Sequence, residues 1–290
     1  MNLQPVRQPG APARLVSVIL PTYNESGNIV PLVHEIFQTL GDAPVEVLVV
    51  DDNSPDGTAD CVRKAFHDDP RVRLIVRTAY PSFAKSIRTG IDNARGDVVV
   101  VMDSDFNHQP KYLPFMIEGM RHFDCVMGSR FVYGGRMFPR SRHLLSWLFN
   151  VFVRCVTWGQ ITDNLYGYFA VRADLLHVCN LDEIFHGYGE YFIRLVYQFQ
   201  KMGLNILQFP AINGERRKGV GNRTFFRTFR IYFSATWRLV FQKGRLNHGN
   251  SDSSMPSLRQ PSTGSDPEPG RPGVHGDLPA AGTTDRRRAA

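Results

Sequence analysis

"VEVLVVDDNSPDGTADCVRKAFHDD", residues 45–69, runs from an apolar, β-branched stretch through a polar cluster into a segment of helical length. The run from Val45 to Val50 does not alternate, as expected of a strand buried on both faces. Two adjacent carboxylates, Asp51 and Asp52, stand at its tip. Strand, polar tip and helix in that order make one unit of a parallel α/β sheet.

The same order recurs on both sides. "LVSVIL" (15–20), "VRLIV" (72–76) and "DVVVVM" (97–102) read as further buried strands. "SGNIVPLVHEIFQTL", "DGTADCVRKAFHDD" and "SFAKSIRTGIDNAR" read as the helices between them, each opening on a capping-type Ser or Asp. Alternation of this kind predicts parallel strands joined by right-handed crossovers, with ligands bound at the carboxyl ends of the strands. The polar clusters fall there: "PTYNE" (21–25), "DDNSPDG" (51–57) and "DSDFNHQP" (103–110) each follow a strand. No G-x-G-x-x-G follows the first strand, which argues against a dehydrogenase.

Asp103 and Asp105 flank one small residue at a strand end, so strand alternation turns both carboxylates to one side and Ser104 to the other. Two hard oxygen donors suit Mg2+ or Mn2+, with a diphosphate completing the shell. The plain alternative is an Asp-Ser-Asp that only begins a loop.

The chain has 290 residues, 42% hydrophobic, with a formal net charge of +7. That charge fits an anionic partner and equally fits simple solubility. The basic residues form no aromatic-interleaved sheet pattern, so a nucleic-acid partner is not expected. The four cysteines are widely spaced with no C-x-x-C, which predicts buried free thiols in a reducing compartment and no zinc site. Residues 1–13 form a flexible leader without the apolar centre of a signal peptide. No run of 18 apolar residues occurs, so no spanning helix is expected. Past Leu246 the composition turns to Pro, Gly, Ser and charge, which predicts a disordered tail over 247–290 and one folded body over 14–246.

Taken together, "SVILPTYNESGNI", "EVLVVDDNSPDGT", "ARGDVVVVMDSD", "DNLYGYFAVR" and "GYGEYFIRLVY" resemble the family 2 glycosyltransferases of the GT-A fold, from about Val16 to Leu239. Within that family they are most similar to dolichol- or polyprenyl-phosphate mannosyltransferases. The resemblance implies a mostly parallel, Rossmann-like central sheet flanked by helices, and an inverting transfer of a hexose from a GDP- or UDP-hexose. It further implies that Pro21, Tyr23 and Glu25 shape the nucleotide pocket, that Asp52 holds the base or ribose while Asp51 caps the loop, and that Asp103 and Asp105 hold the metal on the diphosphate. Glu25 reads equally as a first-turn helix acid. Asp163 and Glu190 match acidic positions of the family, and either is the natural base if the acceptor is a hydroxyl. Arg130 in "GSRFVYGG", with Arg216, Arg217 and Arg223 in "GERRKGVGNRTF", offers forked hydrogen bonds to a diphosphate or an acceptor phosphate.

The chain departs from the pattern at Tyr166, at Phe169, at Thr224 and at "YPSFAKS", where relatives carry G-L-G-x-A. Three readings follow: transfer to a polyprenyl phosphate at the cytosolic membrane face, transfer to a glycan or other hydroxyl, or a catalytically weak nucleotide-sugar-binding or membrane-scaffold protein. The segment 225–241 bears on the choice, because a helical wheel gathers Phe225, Phe229, Tyr232, Phe233, Thr236 and Val240 opposite Arg227, Arg230 and Arg238. Such a helix lies in a membrane interface or packs on the enzyme's own body, and "SRHLLSWLFNVFVRCVTW" provides a second of similar character.

Overall fold

A computed structural model describes residues 15–213 and 225–241. Their elements run β1 (Val16–Thr22), α1 (Ile29–Leu40), β2 (Val45–Asp51), α2 (Thr58–Phe66), β3 (Val72–Val76), α3 (Phe83–Asn93) and β4 (Val98–Val101), then α4 (Leu113–Gly119), β5 (Cys125–Ser129), α5 (Arg140–Thr157), β6 (Phe169–Arg172), α6 (Ala173–His177), α7 (Leu181–Ile184), α8 (Tyr191–Lys201), β7 (Ile206–Pro210) and α9 (Phe225–Phe241). The leader, the tail, and Arg216, Arg217, Arg223 and Thr224 lie outside the described residues.

Among the described residues the strands form one sheet in the order β3-β2-β1-β4-β6-β5-β7. β1 pairs in parallel with β2 on one side and with β4 on the other, so chain order reverses about β1 and opens a crevice at the strand tips. β6 runs antiparallel between β4 and β5, and β7 returns parallel to β5. The sheet is thus mostly parallel, as expected.

Strand alternation explains the continuous apolar runs. Val16, Val18 and Leu20 of β1 face the layer of α1, α2 and α4, while Ile19 faces the layer of α3 and α8. Each such buried side chain contributes roughly 1.5–3 kcal/mol. α3 lies so close to β1 that a Cβ at Gly90 would stand 2.4 Å from Ile19 Cγ2. The one acid within the β2 run, Glu46, is buried but satisfied by Ser17 Oγ at 2.6 Å and Arg73 at 2.9 Å.

Several expectations change. β3 is an edge strand and is only half-buried, because no neighbour covers its outer side. Asp56 does accept the Thr58 N–H at 3.0 Å, but the Ser82 hydroxyl does not cap α3 and bonds to Gly187 O instead. The thiols are free, yet Cys155 is exposed on α5, since its helix turns that side outward. On α9, Thr236 is buried and Tyr232 and Leu239 pack beside Phe149 and Val153 of α5, while Phe233 is half-exposed and Arg230 and Arg238 face outward. The positions of the Phe225, Arg227, Phe229 and Val240 side chains lie outside the description.

Candidate functional site

The crevice is an open cleft of about 1520 Å3 at the carboxyl ends of β1, β2 and β4. Its floor is built by loops that sequence chemistry shapes. Asn24 and Asn53 take left-handed φ of 61° and 55°, a region that Asn tolerates better than most residues. Asn24 N–H donates to Ser54 Oγ at 2.9 Å and Ser26 N–H to Asp56 at 2.9 Å, so the tips of β1 and β2 are tied together.

The two carboxylates at the β2 tip divide their work. Asp51 is fully buried and organises the loop, accepting from Ser54 N–H at 2.9 Å, Ser54 Oγ at 2.6 Å and Thr22 Oγ1 at 3.0 Å. Asp52 lines the cleft, held by the Arg77 guanidinium on one oxygen and by Ser82 N–H at 2.7 Å on the other. Pro21, Tyr23 and Glu25 line the same end. Tyr23 is half-exposed, whereas Glu25 is buried and accepts from Asn28 Nδ2 at 2.6 Å. Glu25 therefore lines the cleft, and it is not the first-turn helix acid of the alternative reading, because α1 begins at Ile29 and its first turn carries no acid.

Asp103 and Asp105 also reach the cleft, but by a different route from strand alternation. β4 ends at Val101, and the Asp-Ser-Asp sits in the loop beyond it. Ser104 is turned away, its hydroxyl donating to Pro21 O at 2.8 Å, and Phe106 takes φ 69°. Asp105 accepts from Asn107 N–H at 3.0 Å and Asn107 Nδ2 at 2.7 Å, whereas the Asp103 side chain is 34% exposed.

His108 sets this loop, and sequence reading did not single it out. It is buried, stacked on Tyr168 at 4.8 Å and edge-on to Tyr166 at 4.6 Å. Its Nδ1 accepts the Asp103 N–H at 2.8 Å, so the proton sits on Nε2 and is donated to Tyr166 O at 2.9 Å. Burial lowers its pKa to about 3, and the ring is neutral. Above about pH 6.5 neither state is protonated; between about 6.5 and 3 only the unfolded chain takes the proton, so stability falls as pH falls, by about 1.4 kcal/mol per pH unit. Replacing His108 with Gln should remove one proton's worth of that slope in urea titrations from pH 7 to 4.5. An unchanged slope would refute the assignment.

The far wall carries Arg130, just past β5, with Met137, Leu145, Phe149 and Tyr232. Arg130 forms a forked pair with Asp163, Nε to Oδ2 at 2.7 Å and Nη2 to Oδ1 at 2.9 Å. Burial works against the charge of Arg130, but the Asp163 carboxylate outweighs it and holds the guanidinium above its usual range. Asp163 itself is fully buried behind the wall. Glu190 is buried too, and accepts Tyr188 N–H at 3.0 Å. Pro21, Tyr23, Glu25, Asp52, Asp103, Asp105 and Arg130 are thus brought to one cleft, while Asp163 and Glu190 stand behind its lining. Phe169 is core, buried in β6 and stacked on Phe192 at 5.5 Å. Tyr166 lies with its ring 5.1 Å from the Arg130 guanidinium, and burial pushes its hydroxyl well above the usual range.

The donor set fits a hard divalent cation. Asp103 and Asp105 offer oxygens only, and His108 has both ring nitrogens committed elsewhere. No cluster of three or more His, Cys, Asp or Glu suited to a metal occurs among the described residues, so two carboxylates would leave most of the shell to a diphosphate and water.

Comparison with known proteins agrees with this architecture. Residues 17–179 match the sequence profile of Glycosyl transferase family 2. The chain is 38% identical over 216 residues to an undecaprenyl-phosphate mannosyltransferase of Micrococcus luteus, covering 70% of this chain and 85% of that one. It is 31% identical over 244 residues to a polyprenol monophosphomannose synthase of Mycolicibacterium smegmatis, covering 81% and 90%. A crystal structure of glucosyl-3-phosphoglycerate synthase from Mycobacterium tuberculosis, in complex with Mn2+, uridine diphosphate and glucosyl-3-phosphoglycerate, superposes with a TM-score of 0.61 at 21% identity, over 82% of this chain and 86% of that one, which shows a shared fold. By the profile match and the identity to these relatives, the chain belongs to glycosyl transferase family 2 and is a glycosyltransferase built on the GT-A fold.

Proposed function

We propose that the protein moves a hexose, mannose first among the candidates, from a GDP- or UDP-hexose to a polyprenyl phosphate at the cytosolic face of a membrane, with inversion at the anomeric carbon. The carrying observation is the polarity of the cleft, acidic at the strand tips and basic at the far wall, where Arg130 and Arg142 stand among apolar side chains. The names of the relatives from Micrococcus luteus and Mycolicibacterium smegmatis support the acceptor class.

Asp52 accepts from N–H or O–H groups of the base or ribose, with Pro21, Tyr23 and Glu25 around it. Mg2+ or Mn2+ on Asp103 and Asp105 would offset the charge that grows on the departing diphosphate. Arg130 holds the acceptor phosphate, its orientation fixed by the Asp163 fork. A phosphate oxygen attacks the face opposite the leaving group, so one C–O bond forms as the other breaks. That oxygen is already anionic near neutral pH and needs no base, which suits a cleft whose other carboxylates, Asp163 and Glu190, are buried behind the wall. A hydroxyl acceptor would need one of them at the reacting atoms.

The membrane reading draws on α5 and α9. Leu144, Leu148 and Phe152 recur every four residues on α5, Phe152 stacks on Phe233 at 5.0 Å, and Phe233 on Trp237 at 6.0 Å. Leu144, Leu148, Phe233 and Trp237 are 56%, 50%, 41% and 48% exposed, with Arg140, Arg154, Arg230 and Arg238 exposed on the same helices. An apolar stripe with flanking arginines fits the interface of an anionic bilayer. No helix among the described residues is long and apolar enough to cross a membrane.

The test is transfer from a panel of GDP- and UDP-hexoses, with Mg2+ or Mn2+, to polyprenyl phosphate embedded in anionic vesicles. Sugar should enter the lipid fraction. The double change Leu148→Gln, Trp237→Gln should lower that transfer at least tenfold, because each side chain contributes roughly 1.5–3 kcal/mol when buried, and should spare slow donor hydrolysis. Transfer to soluble glycans alone would refute the lipid acceptor.

A further inference from the structure

The segment "YPSFAKS", residues 80–86, leads from β3 into α3. The segment stands between the two ends of the cleft. On the donor side, Ser82 N–H donates to Asp52 Oδ2 at 2.7 Å, and Arg77, which holds the other Asp52 oxygen, also donates to Ser86 Oγ at 3.0 Å inside α3. The carboxylate at the β2 tip is therefore fixed by the start of α3.

On the other side Ser82 and its neighbour Phe83 reach a loop more than a hundred positions later. Ser82 is extended, φ −156° and ψ 111°, and its hydroxyl donates to Gly187 O at 3.1 Å. The Phe83 ring lies 5.6 Å from Tyr188 and 6.0 Å from Tyr191. The loop these contacts meet has a shape of its own. Gly187 takes φ +79°, and a Cβ there would stand 1.8 Å from Glu190 Oε1, while Glu190 Oε2 accepts Tyr188 N–H. Gly189 leaves no room for a Cβ against the Tyr232 hydroxyl of α9, at 1.9 Å. The loop is thus held between α9 and the start of α3, and Gly187, Tyr188 and Gly189 line the cleft.

We propose that Ser82 and Phe83 are positioning residues that couple the two ends of the cleft: a nucleotide on Asp52 steadies the start of α3, and α3 steadies the 187–190 loop, so that donor binding prepares the acceptor side. The proposal rests on the donor reading of Asp52. It gives the coupling a physical route, one hydrogen bond and one aromatic cluster, each of a strength that changes an equilibrium about fivefold. By linkage the effect is reciprocal, so an occupied acceptor side tightens the nucleotide by the same factor.

Hydrogen exchange with GDP and, separately, UDP, each with Mn2+, tests it on the full chain. In the wild type, nucleotide should slow exchange in peptides over the β1 and β2 tips and also in those over 185–191. In the double variant Ser82→Ala, Phe83→Leu, the tips should still be protected and the 185–191 peptides should not. Nucleotide Kd should stay within about twofold, because the Ser82 N–H remains, while KM for the acceptor phosphate rises about tenfold or more. Ser82→Thr, which keeps the hydroxyl, should behave as wild type. Loop protection absent from the wild type, or undiminished in the double variant, would overturn the coupling alone. Failure of both nucleotides to protect the tips would overturn the donor reading and the coupling with it.

Discussion

Asp103→Asn should lower sugar transfer by about 10²–10³-fold and weaken Mn2+ binding in the presence of nucleoside diphosphate, with little change in melting temperature. The size follows from removing one charged stabiliser of a developing diphosphate, typically about 2.7–4 kcal/mol. The specificity follows from the local geometry. His108 engages the Asp103 backbone N–H, which Asn keeps, and the carboxylate, 34% exposed and 3.7 Å from the His108 Nε2, is partly screened by solvent, so its charge adds little to stability. Asp105→Asn is the less clean change, because both Asp105 oxygens hold Asn107 and an amide nitrogen would face the Asn107 donors. Transfer within threefold of wild type in Asp103→Asn, or full wild-type activity in chelator, would remove the metal from the mechanism.

What the sequence made legible depended on how local each cause was. β1, β2 and β4 are buried on both faces, so their apolar runs announce them without reference to the rest of the chain. β6 is four residues long, and β5, "CVMGS", ends in Gly and Ser; their place in the sheet comes from pairing with distant strands, and no periodicity of their own reveals them. In the cleft the same rule holds. Acids directly after buried strands stand out, and Asp52, Asp103 and Asp105 were readable for that reason. His108 was not, because what gives it a role is Tyr166, 58 positions away, and its stacking partner Tyr168. Ser82 looked like a helix cap, a local role, and a carbonyl 105 residues later took its hydroxyl. The exposed Leu144 and Leu148 had a readable helical period, but which side of that helix the body covers was fixed only by α9.

The same distinction governs Asp163, whose sequence context resembles that of a base and whose surroundings are those of a structural counter-ion. Its oxygens accept from Arg130 Nε, Nη2 and backbone N–H, and from Leu165 N–H at 3.2 Å, with no exposed surface left to it. Asp163→Asn keeps an acceptor for only one of the two backbone N–H groups, which bond to different oxygens, and leaves the buried Arg130 charge without its partner, so it should lose about 3–5 kcal/mol of folding stability. Adding Arg130→Met removes the stranded charge and should restore most of that loss in urea titrations, since a well-packed apolar replacement of a buried pair is often close to neutral. Activity should not return with stability. Both variants should transfer to acceptor phosphate at least a hundredfold more slowly, and in the double variant nucleotide binding and slow donor hydrolysis should stay near wild type, because the charge lost stands at the far wall of the cleft and not at the tips of β1, β2 and β4. If instead Asp163→Asn folds as stably as wild type and loses hydrolysis as well as transfer, the carboxylate acts on the reacting atoms, and the hydroxyl-acceptor chemistry takes precedence over the phosphate.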